Sequence, residues 1–501
     1  MAEFAGFEFD ALLRSPLWRQ RDLGKPLPVS PHANSVCLPT WADVIGYEQN
    51  DPGIIGRLQT GYPRFFIHPL VDRFFRASAD RFARGDEVCH AYSTERAARR
   101  AIESVRRWSG KRGRLEVWRE GGPFIAAFPR EVEKEARKHW RHSGDGISSR
   151  RAEVLLEGLR EPPRDAAKEL IRNRIAGLVG VSAELVYLGC SGMSSIYTAH
   201  RAAQRLRPGV RSVQFGFSYV DTLKIQQDLG PGVHFLANGD AADLDVLESL
   251  LKAEPVSAIF AEFPCNPLLH SPDLRRLSQL SRKHGVPLIV DETLGTYVNV
   301  DVLPAADLVA TSLTKYFTGV GDVMAGAIIV NPARPGAQAL REAVEAEYED
   351  TLWDGDAQRL ERVSRQFVDR VRRINDTAER LCDCLRSERH VAEVYYPKYG
   401  DAESYAAFRR AGGGYGGLFS ILLRDAAANA PRFFDALRVS KGPNLGTHFS
   451  LACPFTLLAH FDELDFVESC GVNRHLIRVS VGLESPDDLI ARFRDALASL
   501  G

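Results

Sequence analysis

The residues best suited to chemistry lie between positions 286 and 332, where short apolar runs are followed by reactive side chains. The runs Val286–Val290 and Leu308–Ala310 have the length and the flanking residues of strands buried on both faces of a parallel or mixed sheet. Asp291 ends the first run, and Lys315 follows the second. Because open α/β sheets bind ligands at the carboxyl ends of their strands, we expect Asp291 and Lys315 to face one site.

The lysine is preceded by two hydroxyl side chains, Ser312 and Thr314, which suit a carbonyl compound that carries a phosphate. Pyridoxal phosphate fits this chemistry, with Lys315 binding its aldehyde as a Schiff base and Asp291 keeping its pyridine nitrogen protonated. Each residue also has a structural explanation, because a single lysine after a strand is commonly a solvated charge and a single aspartate is commonly a helix cap. Taken one at a time, these residues leave both interpretations open.

A second candidate site precedes the first along the chain. The apolar run Leu185–Leu188 leads into the small residues of Gly189–Ser195, and a helix is predicted over Ile196–Leu206. A strand, a small-residue turn and a helix start together bring backbone N–H groups and the positive end of the helix dipole against a phosphate. Ordinary helix capping produces the same residue pattern, so this segment alone is weak evidence.

Three segments resemble the active site of the Cys/Met-metabolism family of pyridoxal-phosphate enzymes: Asp291-Glu292-Thr293, Ser312-Leu313-Thr314-Lys315-Tyr316 and Gly321-Asp322-Val323-Met324-Ala325-Gly326. The family comprises cystathionine γ-synthases, γ- and β-lyases and homoserine-ester sulfhydrylases. The upstream phrase Gly61-Tyr62-Pro63-Arg64-Phe65-Phe66-Ile67-His68-Pro69-Leu70 is similar to the amino-terminal extension of its fungal-type cystathionine γ-synthases. The resemblance implies the aspartate-aminotransferase-like fold (fold type I), pyridoxal 5'-phosphate as cofactor and a homo-oligomer, either dimer or tetramer.

The resemblance also implies roles for individual residues. Ser191-Gly192-Met193 occupies the phosphate-binding position, Tyr219 would stack on the pyridine ring, and Asn266 would lie beside the phenolic oxygen of the cofactor. Arg478 matches the arginine that binds the substrate carboxylate, and Asn444 replaces a hydroxyl near it. The implied site has catalytic Lys315 and Tyr219, cofactor-binding Ser191, Gly192, Met193, Tyr219, Asn266, Asp291, Thr293, Ser312, Thr314 and Lys315, and substrate-binding Arg478 and Asn444.

One expected pair is missing. Most members of the family carry a Tyr-x-Arg pair that reaches the cofactor phosphate of a neighbouring subunit, and the matching positions here are His142 and Gly144. Either His142 or Arg150 compensates, or the phosphate is held mostly within one subunit. The aromatic phrase at Gly61–Leu70 is interpreted as a packing segment of buried side chains, without assigned chemistry.

Alternating strands and helices from about residue 141 predict an α/β fold with a large mixed-sheet domain. Apolar residues at three- and four-residue steps from Leu360 to Leu385 predict one long amphipathic helix that bridges two domains. We expect an N-terminal extension over 1–140, a cofactor-binding domain over 141–375 and a smaller α+β C-terminal domain over 376–501. The extension should hold a helix at Ser93–Trp108 and a hairpin within Arg114–Phe128.

Composition excludes several classes of partner. The formal net charge is −1 and basic residues are dispersed, so neither a nucleic acid nor a membrane surface is expected as partner. The eight cysteines form no C-x-x-C pair, and Cys382 with Cys384 lacks a second pair, so no metal site is predicted. No signal peptide or membrane-spanning run is recognised, which fits a cytoplasmic protein.

The function implied by the resemblance is γ-replacement on an O-acyl-L-homoserine, with the thiol of cysteine as nucleophile in the manner of a cystathionine γ-synthase. Three alternatives stay open at this point. The first captures the same substrate with sulfide or a carbon nucleophile, and the second is a lyase acting on cystathionine or methionine. The third is a non-catalytic binding protein, which the joint presence of Lys315, Asp291, Tyr219, Asn266 and Arg478 argues against.

Overall fold

The computed structural model of the chain describes residues 10–63 and 65–501. Residues 1–9, which belong to the segment considered for a signal peptide, lie outside the described residues. Arg64, in the aromatic phrase, also lies outside them. Within it, the strands form three sheets, of three, seven and five strands. No helix in this part of the chain has the length and apolar character needed to cross a bilayer.

The N-terminal region contains a three-stranded antiparallel sheet packed against helices, in which Phe124–Pro129 is the central strand. The predicted helix and the predicted hairpin are both present, whereas the strand Glu87–Tyr92 was not predicted. A hydrophobic core of its own runs from Val71 to Leu155, beyond residue 140 where the sequence placed the end of the extension. The elements are helices Asp10–Arg14 (α1), Trp41–Glu48 (α2), Pro52–Ile55 (α3), Pro69–Phe82 (α4), Glu95–Ser109 (α5), Glu133–Ser143 (α6) and Ser149–Leu156 (α7), and strands Glu87–Tyr92 (β1), Arg114–Val117 (β2) and Phe124–Pro129 (β3).

The central region is the predicted α/β unit built on the seven-stranded sheet. Its helices are Ala167–Val179 (α8), Gly192–Leu206 (α9), Val220–Lys224 (α10), Ala241–Ala253 (α11), Leu274–His284 (α12), Thr296–Asn299 (α13), Ala337–Glu347 (α14), Asp354–Ser364 (α15) and Phe367–Leu385 (α16). Its strands are Val186–Gly189 (β4), Ser212–Phe215 (β5), Val233–Leu236 (β6), Ile259–Glu262 (β7), Leu288–Asp291 (β8), Leu308–Thr311 (β9) and Gly326–Val330 (β10).

The seven strands have the order β4-β10-β9-β8-β7-β5-β6. Strands β9, β8, β7, β5 and β6 are parallel neighbours, while β10 runs antiparallel to both β4 and β9. Alternate residues of each strand enter two different cores, since Leu288 and Val290 belong to one cluster and Ile289 to another. Both faces of the sheet are therefore covered, which explains why its strands are continuous apolar runs in the sequence.

The C-terminal region is the smaller α+β unit that the sequence predicts. The strands of its five-stranded sheet lie side by side in the order Val391–Tyr395, Leu418–Leu423, Ile477–Ser480, Leu451–Pro454 and Ser440–Lys441. Ser440–Lys441 forms a short edge strand that runs parallel to its neighbour, Leu451–Pro454. The elements are strands Val391–Tyr395 (β11), Leu418–Leu423 (β12), Ser440–Lys441 (β13), Leu451–Pro454 (β14) and Ile477–Ser480 (β15), and helices Ala402–Ala406 (α17), Ala426–Ala436 (α18), Phe455–His460 (α19), Leu464–Ser469 (α20) and Pro486–Ala498 (α21).

The prediction of one continuous helix between these two regions was wrong. The helix is interrupted at residues 365 and 366, which separate α15 from α16. The buried guanidinium of Arg370 donates hydrogen bonds to the carbonyl oxygens of Val363, Tyr316 and Phe317. One of these carbonyl groups belongs to the end of α15 and the other two to the turn that follows Lys315. The hydrogen bonds of Arg370 therefore connect the interruption of the helix to the predicted cofactor lysine.

An N-terminal segment, residues 24–62, crosses from the central region to the C-terminal region. The backbone N–H of Asn34 donates to the carbonyl of Gly321, 2.9 Å away, and that of Leu38 donates to the carbonyl of Lys441, 3.0 Å away. The same segment ends beside the cavity described next. We call it the N-terminal strap.

Candidate active site

A cavity of about 350 Å³ opens at the carboxyl ends of β7, β8 and β9 and at the start of α9. This edge of the sheet is where an open α/β fold presents its ligand site. All the predicted site residues except Asn444 line it: Ser191, Gly192, Met193, Tyr219, Asn266, Asp291, Thr293, Ser312, Thr314, Lys315 and Arg478. The strap and α19 supply much of the remaining wall.

Lys315 is the reactive amine of the cavity and is only 8% exposed. Its Nζ donates a hydrogen bond to Asn444 Oδ1 at 2.6 Å and lies 2.6 Å from the hydroxyl of Tyr62. Asn444 was predicted to lie near the substrate carboxylate, and in the structure its side-chain oxygen contacts the lysine. Its amide nitrogen donates to Asn34 Oδ1 at 2.7 Å, so Asn34 orients the amide that contacts Lys315.

Two acids stand side by side at the ends of neighbouring strands, since Asp291 of β8 is in register with Glu262 of β7. Burial raises the pKa of Asp291, and the N–H of Thr293 partly offsets this by donating to Asp291 Oδ1 at 2.9 Å. Burial, with the charge of Asp291 in second place, raises the pKa of Glu262 to about 8. A cation bound beside Asp291 would relieve this crowding of negative charge.

Glu262 was not recognised in the sequence, yet it positions two predicted site residues. Its carboxylate accepts hydrogen bonds from the backbone N–H of Tyr219 at 2.6 Å and of Asn266 at 3.0 Å. The side-chain oxygen of Asn266 in turn accepts from Arg478 Nη1 at 3.1 Å. The signal available in the sequence was an acid at the end of a buried strand, four residues before Asn266.

Arg478 projects from β15 of the five-stranded sheet into the cavity at the edge of the seven-stranded sheet. Its Nη2 donates to the carbonyl oxygen of Pro443 at 2.7 Å, and its guanidinium lies 4.6 Å from the ring centroid of Phe455. The group is 5% exposed and is held on one face by an aromatic ring. A fixed, planar guanidinium of this kind can bind a carboxylate through two hydrogen bonds.

The phosphate-binding segment has the predicted strand-turn-helix form. Ser191 caps α9, with its Oγ accepting from the N–H of Ser194 at 3.0 Å. The first N–H groups of a helix have no partner within the helix, so those of Gly192 and Met193 are suited to an anion. A Cβ atom at Gly192 would lie 2.6 Å from Cβ of Ser312, which shows how closely this backbone approaches the lysine segment.

Neither His142 nor Arg150, the residues predicted to compensate for the Tyr-x-Arg pair not found at positions 142 and 144, lines the cavity. His142 Nδ1 contacts Asp221 Oδ1 at 3.0 Å, in a buried pair that joins α6 to α10. Arg150 donates to Asp356 Oδ1 at 2.7 Å and to the carbonyl of Asp322 at 3.1 Å. The cation from this part of the chain that does reach the wall is Arg141.

Tyr62 is the main site residue that sequence reasoning missed. It belongs to the aromatic phrase interpreted as packing, and the structure corrects that interpretation because its hydroxyl reaches Lys315. Periodicity and spacing could not reveal the contact, since 253 residues separate the two side chains in the sequence. Two signals in the sequence marked the phrase: its resemblance to the extension of fungal-type enzymes, and the order Tyr62-Pro63-Arg64, which has the Tyr-x-Arg spacing expected near the cofactor phosphate.

Comparisons with known proteins agree with this geometry. Residues 164–498 match the family model described as Cys/Met metabolism PLP-dependent enzyme. The chain belongs to this family. A cystathionine γ-synthase of Neurospora crassa is 35% identical, with 95% of this chain and 98% of that protein covered. The L-2-amino-4-chloropent-4-enoate dechlorinase/desaturase of Streptantibioticus cattleyicolor is also 35% identical, over 95% of this chain and 98% of that protein.

Solved structures of the family confirm the fold predicted from the sequence. Cystathionine γ-synthase from Xanthomonas oryzae pv. oryzae, in complex with cystathionine, superposes with a TM-score of 0.58 at 23% identity. The superposition covers 67% of this chain and 86% of that one. The chain is therefore a PLP-dependent enzyme of the Cys/Met metabolism family with an aspartate-aminotransferase-like (fold type I) architecture.

The cavity fits the cofactor of this family. The close approach of Gly192 to Ser312 makes a cradle at a helix start, as a phosphate requires. The acid pair Asp291 and Glu262, whose pKa values are raised by burial, favours a positive charge such as that of a protonated pyridine nitrogen. Lys315 supplies a buried amine in the same cavity. Pyridoxal phosphate bound here would act as an electron sink for a carbanion at the substrate Cα.

Proposed function

We propose that this enzyme catalyses γ-replacement on an O-acyl-L-homoserine, with the thiol of cysteine as the nucleophile and cystathionine as the product. The observation that carries the proposal is one cavity holding the amine of Lys315, the carboxyl of Asp291 and the guanidinium of Arg478. Relatives named cystathionine γ-synthase, at 31% and 35% identity over 95% of this chain, support the same reaction.

Arg478 binds the α-carboxylate of the amino acid and thereby orients it in the cavity. Asn266, which accepts a hydrogen bond from Arg478, keeps the guanidinium in place on the side of the cavity that faces β7. Tyr219, whose backbone is fixed by Glu262, provides the aromatic ring that packs against the cofactor. Ser191, Gly192 and Met193 hold the phosphate.

Lys315 moves the protons. In its neutral form the amine accepts a proton from Cα of the substrate, and a later proton transfer involves Cβ. The acyl group then leaves Cγ as a carboxylate, and the sulfur of cysteine forms a bond to the same carbon as its thiol proton is released. Asp291 favours the protonated ring nitrogen on which the electron sink depends.

A panel of nucleophiles tests this proposal. Purified enzyme with bound cofactor is given O-acetyl- or O-succinyl-L-homoserine together with cysteine, sulfide or a stabilised carbon nucleophile, and the products are separated by mass. We expect cystathionine to form fastest. Absence of 2-oxobutyrate and of a γ-replacement product with every nucleophile would exclude γ-chemistry, while faster capture of sulfide or the carbon nucleophile would reassign the second substrate.

A second candidate is elimination without replacement. It is favoured by the 35% identity to the dechlorinase/desaturase of Streptantibioticus cattleyicolor, whose name describes loss of chloride from an amino acid. This candidate predicts that cystathionine or an activated homoserine supplied alone yields ammonia and a keto acid at the rate seen with cysteine present. The proposed replacement instead predicts that cysteine suppresses release of ammonia.

The proposal includes a homo-oligomer, a dimer or a tetramer, and a cytoplasmic location. Light scattering on the purified protein measures the mass of the assembly against 55.6 kDa for one chain. We also propose three parts of the chain: an extension over 1–140, a cofactor-binding domain over 141–375 and a small domain over 376–501. Limited proteolysis near the boundaries of these parts tests this division.

A further inference from the structure

A loop of the N-terminal region supports the phosphate turn from behind. Ser191 Oγ donates a hydrogen bond to the carbonyl oxygen of Gly144 at 2.9 Å, and Cys190 Sγ lies 3.1 Å from the same oxygen. Ser194 Oγ donates to Asp145 Oδ1 at 2.6 Å. The loop therefore contacts both the turn and the first residues of α9.

Asp145 is a buried carboxylate that is itself held in place. Its Oδ2 accepts from Arg100 Nη2 at 3.1 Å, and its backbone carbonyl accepts from the N–H of Ser93 at 3.1 Å. Arg100, on α5, also pairs with Glu349. Because a buried charge is tolerated when it is paired and hydrogen-bonded, these contacts fix the position of the carboxylate that Ser194 reaches.

The loop and the turn are packed without space between them. Gly144 has a φ of +67°, and a Cβ atom there would lie 2.5 Å from Ser191 Oγ, 2.9 Å from Met193 Cβ and 3.0 Å from the backbone nitrogen of Ser194. Glycine meets both requirements, since it adopts positive φ readily and has no Cβ. The backbone of the loop can therefore lie directly against the start of α9.

The hydrogen bonds at the start of α9 show why this support matters for an anion. Ser191 Oγ accepts from the N–H of Ser194, so the N–H groups of Gly192 and Met193 are left for the phosphate. They can converge on an anion only while the helix start keeps this conformation. Ser194 and Asp145 lie outside the cavity wall, so they can act on the cofactor only through the backbone of the turn.

The supporting residues precede the part of the chain that matches the family model. That match begins at residue 164, whereas Arg100 and Asp145 belong to the N-terminal region, whose own hydrophobic core runs from Val71 to Leu155. The resemblance that implied the other site residues assigns no role to either of them.

We propose that Asp145 and Ser194 are positioning residues for the cofactor, and that their hydrogen bond holds the start of α9 in the conformation that binds the phosphate. This inference rests on the assignment of the Gly192 turn as the phosphate site. It does not depend on which homoserine ester or nucleophile the enzyme uses.

The first test measures cofactor affinity in Ser194→Ala. This substitution removes the hydroxyl that donates to Asp145 and keeps the side chain small. Titration of the apo-enzyme with pyridoxal phosphate, followed by visible absorbance, should give a dissociation constant about ten-fold or more above that of the wild type, because a hydrogen bond to a charged group is lost. An unchanged dissociation constant would overturn the proposal.

Two other serine variants separate positioning from general destabilisation. Ser195→Ala is the local control, because Ser195 is equally buried on α9 and its hydroxyl has no hydrogen-bond partner within the described part of the chain. Ser281→Ala is the stability control, because its hydroxyl donates at 3.2 Å to Asp307, a buried acid that pairs with Arg334 just before β9. Both controls should bind the cofactor as the wild type does, and Ser281→Ala should melt at a lower temperature. An equal rise of the dissociation constant in Ser281→Ala and Ser194→Ala would show a merely structural role and overturn the proposal.

Hydrogen exchange of the apo-enzyme provides a second measurement, which needs no cofactor. Peptides that cover residues 189–195 should exchange their amide hydrogens about ten-fold or more faster in Ser194→Ala than in the wild type, because the start of α9 loses a contact that holds it. Exchange in α12 should be the same in both proteins. Equal exchange at residues 189–195 would contradict the proposed role of the hydrogen bond.

Cofactor binding by Gly192→Ala distinguishes failure of this inference from failure of the phosphate site. A Cβ atom at Gly192 would separate the turn from Ser312, so wild-type affinity in Gly192→Ala would refute the phosphate site and the inference with it. Weakened binding in Gly192→Ala, together with wild-type binding in Ser194→Ala, would refute only the role of Asp145 and Ser194. The nucleophile panel tests the proposed reaction separately, since cofactor affinity is measured without any amino-acid substrate.

Discussion

Replacing Gly192 by alanine should weaken cofactor binding selectively. A Cβ atom added at this position would lie 2.6 Å from Cβ, 2.8 Å from Oγ and 3.0 Å from Cα of Ser312. Ser312 cannot easily move away, because its backbone N–H donates to Thr293 Oγ1 at 2.7 Å and the residue directly follows β9. The added methyl group therefore has to separate the start of α9 from the lysine segment.

The expected magnitude follows from the cost of overpacking. An extra carbon in a closely packed site costs about 1–3 kcal/mol, and the two segments that must separate are those proposed to enclose the phosphate. Since about 1.4 kcal/mol corresponds to a factor of ten, the dissociation constant for pyridoxal phosphate should rise about 5- to 150-fold. The fold itself should persist, because the strain is confined to the contact of two segments.

Titration of the apo-enzyme with pyridoxal phosphate, followed by visible absorbance, measures this change. Gly177→Ala is the matched control, since Gly177 lies in α8 and a Cβ atom there has no neighbour within 4 Å. The control should bind the cofactor as the wild type does and gain about 0.5–1 kcal/mol in stability. Wild-type affinity in Gly192→Ala would refute the assignment of this turn as the phosphate site.

Two further predictions concern Arg478 and Lys441. Arg478→Lys should raise KM for the amino-acid substrate about ten- to a hundred-fold with an unchanged spectrum of the bound cofactor, as a lysine cannot reproduce a planar two-bond contact; an unchanged KM would contradict this. Burial lowers the pKa of Lys441 to about 7, from an ordinary value of 10.5. Between these two pH values the folded chain binds fewer protons than the unfolded chain, so the free energy of unfolding rises with pH. Urea unfolding at several pH values should show a smaller rise in Lys441→Met, and equal slopes in the two proteins would contradict the prediction.

The parts of the site that follow buried strands could be predicted from the sequence. Asp291 and Lys315 each come after an apolar run, and the pairing of β8 with β9 makes those runs neighbours. The position of such residues is set by local secondary structure and by the general rule for open α/β sheets. For this reason the cavity contains them as expected.

The contributions of the strap and of Arg370 could not be predicted in this way. Tyr62 reaches Lys315, and Asn34 reaches Asn444, across separations of 253 and 410 residues, with no helix or strand pattern that marks either contact. The interruption between α15 and α16 was hidden because the apolar spacing continues through it. The buried guanidinium of Arg370 donates a hydrogen bond to the carbonyl of Val363, where the helix is interrupted despite the apolar spacing. Only the tertiary structure shows this contact.

The strap also limits how the central region and the C-terminal region can move apart. Asn34 is hydrogen-bonded to the lysine loop of the central region and Leu38 to the edge strand of the C-terminal region, so a stretch of four Cα–Cα steps connects the two. A chain of that length reaches at most about 14 Å when fully extended. Many two-domain enzymes admit their substrates by a hinge-like opening, and the strap restricts such an opening here. Entry of a bulky amino acid therefore depends on movement of the side chains at the rim of the cavity.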